Sequence, residues 1–205
     1  MRTSLSHPLY VNWLDLEGDA GALGMTLCPG KHQSVSSTGA WDRQLDVDVQ
    51  ALVDDDVHRL VTLVTNEDMR MLRVEDLPEE VASHGLAWHH LPFEDTTAPD
   101  EAWLVQAEPV YRRILLSIPE GERVVVHCMG GLSRAGTFAS IYLWLRGMSM
   151  RDAIQTVRVR RSPHAINPRQ EAFLLGLARD SEFPQWSHAL TPTLAQRYAV
   201  LRRWD

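Results

Sequence analysis

The chain predicts an α/β fold, a central, mostly parallel sheet flanked by helices, on three observations. Short β-branched runs such as "VHRLVTLV" (Val57–Val64) and "VVVH" (Val124–His127) have the length and composition of buried strands. Capped or amphipathic helical stretches alternate with them. Near-continuous apolar strands, unlike alternating ones, belong to sheets covered on both faces. At 205 residues the chain suits one domain with a sizeable core. Residues 1–182 are read as that domain and 183–205 as a C-terminal extension, packed on it or flexible.

Taken in order, "LYVNWL" and "LGMTLC", separated by a glycine-containing break, predict a hairpin or two strands. "TLCPGKHQSVSSTGA" is rich in Ser, Gly and Pro and predicts a loop. Leu45, Val49, Leu52 and Val53 fall at helical intervals, with Asp42 as N-cap. Val57–Val64 is a core strand, followed by short helices at Asn66–Leu72 and Pro78–Ser83. Leu86–Pro92 is the next strand, with one of His89 and His90 expected to turn inward and the other outward. "FEDTTAPD" is a loop, Asp100–Ser117 a long amphipathic helix and Val124–His127 a strand. "RAGTFASIYLWLRG" is helical and stops at Gly147. "SMRDAIQTVRVRR" starts on a Ser149 cap, and "RVRR" reads as its solvated end, with help in receiving an anionic substrate as the alternative. "NPRQEAFLLGLARD" has Asn167 as cap and Pro168 at the first helical position. The tail contains Trp and predicts a short helix at its end.

Composition narrows the function. Hydrophobic residues at 44% and charged residues at 23% are globular values. A net charge of −7 argues against nucleic acid or an anionic membrane as partner. The apolar runs are strand-sized, far short of a membrane span, and the opening residues lack the apolar core of a signal peptide. Cys28 and Cys128 are the only two cysteines, too few for a disulfide framework, so free thiols in a cytoplasmic compartment are expected. No second cluster of His, Cys, Asp or Glu has ligand spacing, so neither a metal nor another cofactor is expected.

The chemistry concentrates in "VVVHCMGGLSRAGT" (Val124–Thr137). Read as strand, loop, helix, it places Cys128 to Arg134 at the carboxyl end of a buried strand, where open α/β sheets bind ligands. Successive backbone N–H groups of Met129, Gly130, Gly131, Leu132 and Ser133 can turn inward as an anion nest, beside a positive helix end. Gly130 and Gly131 permit unusual backbone angles and close approach. Arg134 offers paired donors to phosphate-like oxygens. The same field favours the thiolate of Cys128, a nucleophile poised beneath a bound phosphoryl group.

"HCMGGLSRAGT" is similar to the His-Cys-x5-Arg signature of the cysteine-dependent protein tyrosine phosphatase superfamily. Within it the chain most resembles the dual-specificity type, above all the kinase-associated phosphatase group and its bacterial relatives. "LGMTLCPGK", "HHLPFEDTTAPD" and "INPRQEAF" resemble that group's Cys-Pro-Gly loop, acid loop and Pro-x-Gln segment. The resemblance runs from about Leu23 to Phe173. It implies a phosphotyrosine phosphatase II type fold and a phosphatase for phosphotyrosine, with or without phosphoserine and phosphothreonine. Cys128 would form a cysteinyl-phosphate and Arg134 would hold the phosphoryl oxygens. Asp95 would be the general acid, with Asp100 and Glu94 as rivals. Gln170 would position the hydrolytic water, and His127 would orient the loop. Substrates would be a phosphorylated protein or a small phosphate ester, and phosphate, sulfate or vanadate would occupy the loop.

One position departs from the pattern. Ala135 stands where the superfamily usually has Ser or Thr, whose hydroxyl stabilises the leaving sulfur; phosphatases of the regenerating-liver type share the alanine and turn over slowly. Slow breakdown of the intermediate is therefore expected, unless Ser133 or Thr137 substitutes. The alternatives are a low-turnover, pseudophosphatase-like phosphoprotein-binding module, a phosphatase for a small non-protein ester, and sulfur transfer by a rhodanese-like loop. No Lys or Arg precedes Arg134 within the loop, which disfavours a phosphoinositide.

Overall fold

The computed structural model describes residues 1–36 and 39–180. The expected extension at 183–205 and its short helix lie outside the described residues.

Five strands form the main sheet: β1 (Asn12–Leu14), β2 (Ala22–Thr26), β5 (Arg59–Thr62), β6 (Ala87–His90) and β7 (Arg123–His127), in the order β1-β2-β7-β5-β6. β2, β7, β5 and β6 run parallel, and β1 closes one edge antiparallel to β2 as the expected hairpin. The triple valine of β7 shows why an apolar run suits the centre of such a sheet. Val124 and Val126 face one core layer, and Val125 faces the other. Leu60 and Val61 of β5 divide in the same way.

One face is covered by α4 (Glu101–Ser117), α5 (Ser133–Leu145), α6 (Met150–Arg160) and α7 (Pro168–Asp180), whose core includes Tyr111, Phe138, Ile154 and Leu174. The other is covered by α1 (Leu45–Asp54), α2 (Asn66–Leu72) and α3 (Leu77–Ser83), through Leu52, Leu72 and Val81. Caps behave largely as expected. Ser149 accepts from the Asp152 N–H, and Asn167 and Gln170 make a reciprocal capping box. Asp100 caps α4 by accepting from the Trp103 N–H at 2.8 Å.

Three expectations are corrected. The segment after β2 is not all loop: β3 (His32–Gln33) and β4 (Trp41–Asp42) pair antiparallel within it. Asp42 therefore does not cap α1; its carboxylate meets His32 Nδ1 at 2.6 Å, and Gln44 stands at the N-cap without a side-chain bond. His89 and His90 are both half-buried, because the edge strand β6 leaves neither face fully covered. His89 meets Arg59, and His90 Nε2 donates to the Val64 carbonyl at 2.8 Å.

Candidate active site

Parallel strands all end at one edge of the sheet, so the loops that follow them converge. Each of the four supplies a part. Lys31 follows β2, Asp68 lies in α2 after β5, Asp95 follows β6, and Cys128 follows β7. Cys128 is 2% exposed and lines a cavity of about 270 Å³ together with Asp95, Met129, Gly130, Leu132 and Ser133.

The loop is held from outside. Met129 C=O accepts from Lys31 Nζ at 3.1 Å and from the Cys28 N–H at 3.4 Å. Arg161 donates through Nη2 to the Gly130 carbonyl (2.9 Å) and through Nε to the Gly131 carbonyl (2.8 Å). In a trans peptide C=O and N–H point oppositely. Carbonyls fixed outward therefore turn the N–H groups of Gly130, Gly131 and Leu132 inward, which makes the anion nest. Only one of the two glycines is sterically required. Gly131 has φ +66°, and a Cβ there would lie 2.3 Å from the Thr26 carbonyl oxygen; a Cβ at Gly130 would make only an ordinary contact with Leu132 Cδ1 at 3.9 Å. α5 begins at Ser133 after an N-cap, Leu132, with no side-chain acceptor, so its first N–H groups are left for a ligand.

Arg134 is fully buried. Its Nη1 donates to Asp68 Oδ2 (2.6 Å) and to the Phe93 carbonyl (3.0 Å). Asp68 also closes the capping box of α2 with Thr65, so one carboxylate fixes a helix start and a guanidinium. Nε lies 3.3 Å from Asp95 Oδ1 without the alignment of a hydrogen bond, and Nε and Nη2 have no hydrogen-bond partner. Burial pushes the Arg134 pKa down, but Cys128, Asp68 and Asp95 outweigh it and hold the value above the ordinary one. Two buried, unsatisfied donors of a charged fork are costly unless an anion completes them.

His127 is buried behind the loop. Trp88 Nε1 donates to Thr62 Oγ1 at 2.8 Å, and that oxygen lies 2.8 Å from His127 Nε2. The other ring nitrogen, Nδ1, is buried without a hydrogen-bond partner among the described residues. Burial above all, with Arg134 and His90, pushes the His127 pKa down to about 3 against the backbone interaction at Cys128. The ring is neutral at physiological pH. It carries no charge to the loop.

Asp95 stands on the cavity with its side chain 42% exposed; Asp100 is committed to the α4 cap, and Glu94 does not line the cavity. Ala135 is fully buried. Thr137 donates its hydroxyl to the Ser133 carbonyl at 2.9 Å, whereas Ser133 is on the cavity. Gln170 is fully buried, with both ends of its amide used inside the chain: Nε2 donates to the Thr97 carbonyl (2.9 Å) and Oε1 accepts from the Asn167 N–H (3.2 Å). With Asn167 Nδ2 on the Thr96 carbonyl (3.1 Å), it braces the loop that carries Asp95.

Sequence reasoning missed Lys31, Asp68, Thr62 and Arg161. "TNED" is legible as a capping box, but not as the partner of an arginine 66 positions away. Arg161 is a loop anchor where a solvated helix end was expected. Among the described residues no group of three or more His, Cys, Asp or Glu side chains is placed to hold a metal, and no helix is long and apolar enough to cross a membrane.

Comparison with known proteins agrees with this geometry. The model described as "Swiss Army Knife protein, DSP-PTPase phosphatase domain" (PTP-SAK) matches residues 36–178. Cyclin-dependent kinase inhibitor 3 of Mus musculus is 26% identical over 165 residues, covering 78% of this chain and 73% of its own. A probable protein tyrosine phosphatase type IVA A of Dictyostelium discoideum is 27% identical over 146 residues, 60% of this chain and 84% of that one. Among solved structures, kinase-associated phosphatase with its catalytic cysteine replaced by serine superposes with a TM-score of 0.73 at 22% identity, over 83% of this chain and 94% of that chain. Fold and relatives together define a cysteine-dependent phosphatase of the dual-specificity and protein tyrosine type. Within that class the chain belongs to the Swiss Army Knife DSP-PTPase family.

Proposed function

We propose that this phosphatase works through a covalent cysteinyl-phosphate, with Cys128 as nucleophile and Asp95 as general acid. The observation that carries this reading is the pair of buried, unbonded Arg134 donors, Nε and Nη2, beside the Cys128 cavity. A phosphoryl group seated in the loop completes them and meets the inward N–H groups of Gly130, Gly131 and Leu132. The Cys128 thiolate attacks phosphorus, an S–P bond forms and the ester P–O bond breaks. Asp95 gives its proton to the departing oxygen. In the second half a water loses its proton to Asp95 and attacks phosphorus, and the thiolate leaves as inorganic phosphate forms. Arg134 and the amides stabilise the equatorial oxygens in both steps.

The substrates on this reading are phosphorylated proteins, phosphotyrosine foremost, in the reducing cytoplasm, where Cys128 stays a thiol. Charge −7 supports neither nucleic acid nor an anionic membrane as partner. The test is hydrolysis of phenyl phosphate and a phosphotyrosine peptide, beside Cys128→Ser, with acid-quench detection of phosphorus on Cys128. Wild-type turnover without any label at Cys128, and equal turnover by Cys128→Ser, would overturn it.

A further inference from the structure

Arg43, Arg59, Arg134 and Arg146 are largely buried, and each meets a carboxylate: Asp48, Glu122, Asp68 and Asp19. Lys31 is 1% exposed and has no carboxylate partner among the described residues. Its Nζ donates to the Met129 carbonyl and to Gln33 Oε1, each at 3.1 Å, and lies 5.3 Å from the centroid of the Trp41 ring. That leaves one of three N–H donors without an oxygen or nitrogen acceptor among the described residues, on a cation that also faces the Trp41 ring. Burying an ammonium without a carboxylate partner is unfavourable; Cys128 favours its charge from one side, and an anion entering the cavity that both residues line would complete it.

The cavity shows where such an anion enters. Lys31, Gln33 and Ser36 line it alongside the loop residues, and none of the lining side chains among the described residues is aromatic. The phosphoryl group belongs to the inward amides and Arg134. The wall formed by Lys31, Gln33 and Ser36 is left for the rest of the substrate. It offers the Lys31 cation and the Gln33 amide in place of a ring-stacking surface, while the Ser36 hydroxyl donates to the Gly39 carbonyl at 2.7 Å.

We propose that Lys31, held in place by Gln33, forms an anion subsite for the leaving group. The preferred substrate is then a phosphate monoester whose leaving group carries a second anionic group, a carboxylate or a further phosphate. This inference rests on the phosphatase reading above. The groups that face Lys31 are the thiols of Cys28 and Cys128, the Arg43 guanidinium and, across the cavity, Asp95. Burial pushes its pKa down, the two cysteines push it up and Arg43 pushes it down, leaving it at about 8. The subsite is charged at neutral pH and loses its charge in mild alkali.

The experiment measures kcat/KM for three esters on the full chain: phenyl phosphate, 3-carboxyphenyl phosphate and 1,3-phenylene bisphosphate. Within each protein the anionic esters are expressed as ratios to phenyl phosphate, so any general loss of activity cancels. Wild type is expected to favour at least one anionic ester roughly ten-fold, the size of one charge-assisted hydrogen bond. The ratio is expected near one in Lys31→Met and kept in Lys31→Arg. In wild type it should decline as pH rises through about 8, and in Lys31→Arg it should not. Which anionic ester is favoured tells carboxylate from phosphate. A wild-type ratio at or below one overturns the subsite whatever the variants do, and so does an equal ratio in wild type and Lys31→Met. Failure of wild type to hydrolyse any of the three above the Cys128→Ser background overturns the phosphatase reading and the subsite together, and is told apart by the silent phenyl phosphate control.

Discussion

Ala135 sits fully buried one residue past Arg134, the position at which, on the proposed mechanism, a hydroxyl would serve the departing sulfur. The nearest helical substitute is unavailable, because Thr137 spends its proton on the Ser133 carbonyl. Ser133 is the one hydroxyl left at that end of the cavity. Ala135→Ser should therefore speed breakdown of the phosphoenzyme by about ten- to a hundred-fold, the worth of one hydrogen bond made in the transition state. Rapid-quench burst kinetics reads this directly: the burst phase stays and the steady-state rate rises. An unchanged steady-state rate would mean that Ser133 already serves the sulfur.

At the scale of elements, two aspartates five positions apart belong to different structures. Asp95 hangs in the loop over the cavity, and Asp100 is the first brace of α4. Asp95→Asn should lower kcat by about a hundred-fold or more and flatten its fall at high pH, the signature of a lost general acid. Asp100→Ala should cost about 1 kcal/mol of stability in urea denaturation and keep the shape of the pH–rate profile. The opposite outcome would exchange the two roles. The junction of loop and helix is equally specific. Gly131→Ala puts a methyl 2.3 Å from the Thr26 carbonyl oxygen at φ +66°, so β2 or the loop must move. A loss of about 1–3 kcal/mol in stability, with loss of vanadate inhibition, is expected. Gly130→Ala, whose Cβ would make only an ordinary contact with Leu132 Cδ1 at 3.9 Å, should be far milder in both measurements.

For the whole molecule, the central strand carries a pH liability. The folded state keeps His127 neutral down to about pH 3, whereas the unfolded chain takes up that proton below about 6.5. Between those values the unfolded state binds more protons, so acid destabilises the fold. From pH 7.5 to pH 5 this single group should remove about 2 kcal/mol. Urea denaturation of wild type against His127→Gln at both pH values isolates it. The variant starts less stable, because Thr62 loses one of its two side-chain partners and keeps Trp88, but its stability should fall less steeply with acid. Equal slopes would place the acid sensitivity elsewhere.

The sequence by itself determined the alternation of strands and helices, the loop of Cys128 to Arg134, and most helix starts. Each of these is written in residues close together: a β-branched run, a glycine at a left-handed turn, a serine or asparagine ahead of an apolar face. Tertiary structure alone decided what surrounds that loop. Lys31, Asp68 and Arg161 meet it from 98, 66 and 30 residues away. Parallel strands that end at one edge put their loops side by side whatever their distance along the chain, and no local pattern records that meeting. Charge obeys the same division. Counting cations inside the loop finds Arg134 alone, whereas the folded cavity adds Lys31 from beyond β2, in a place where water no longer screens it.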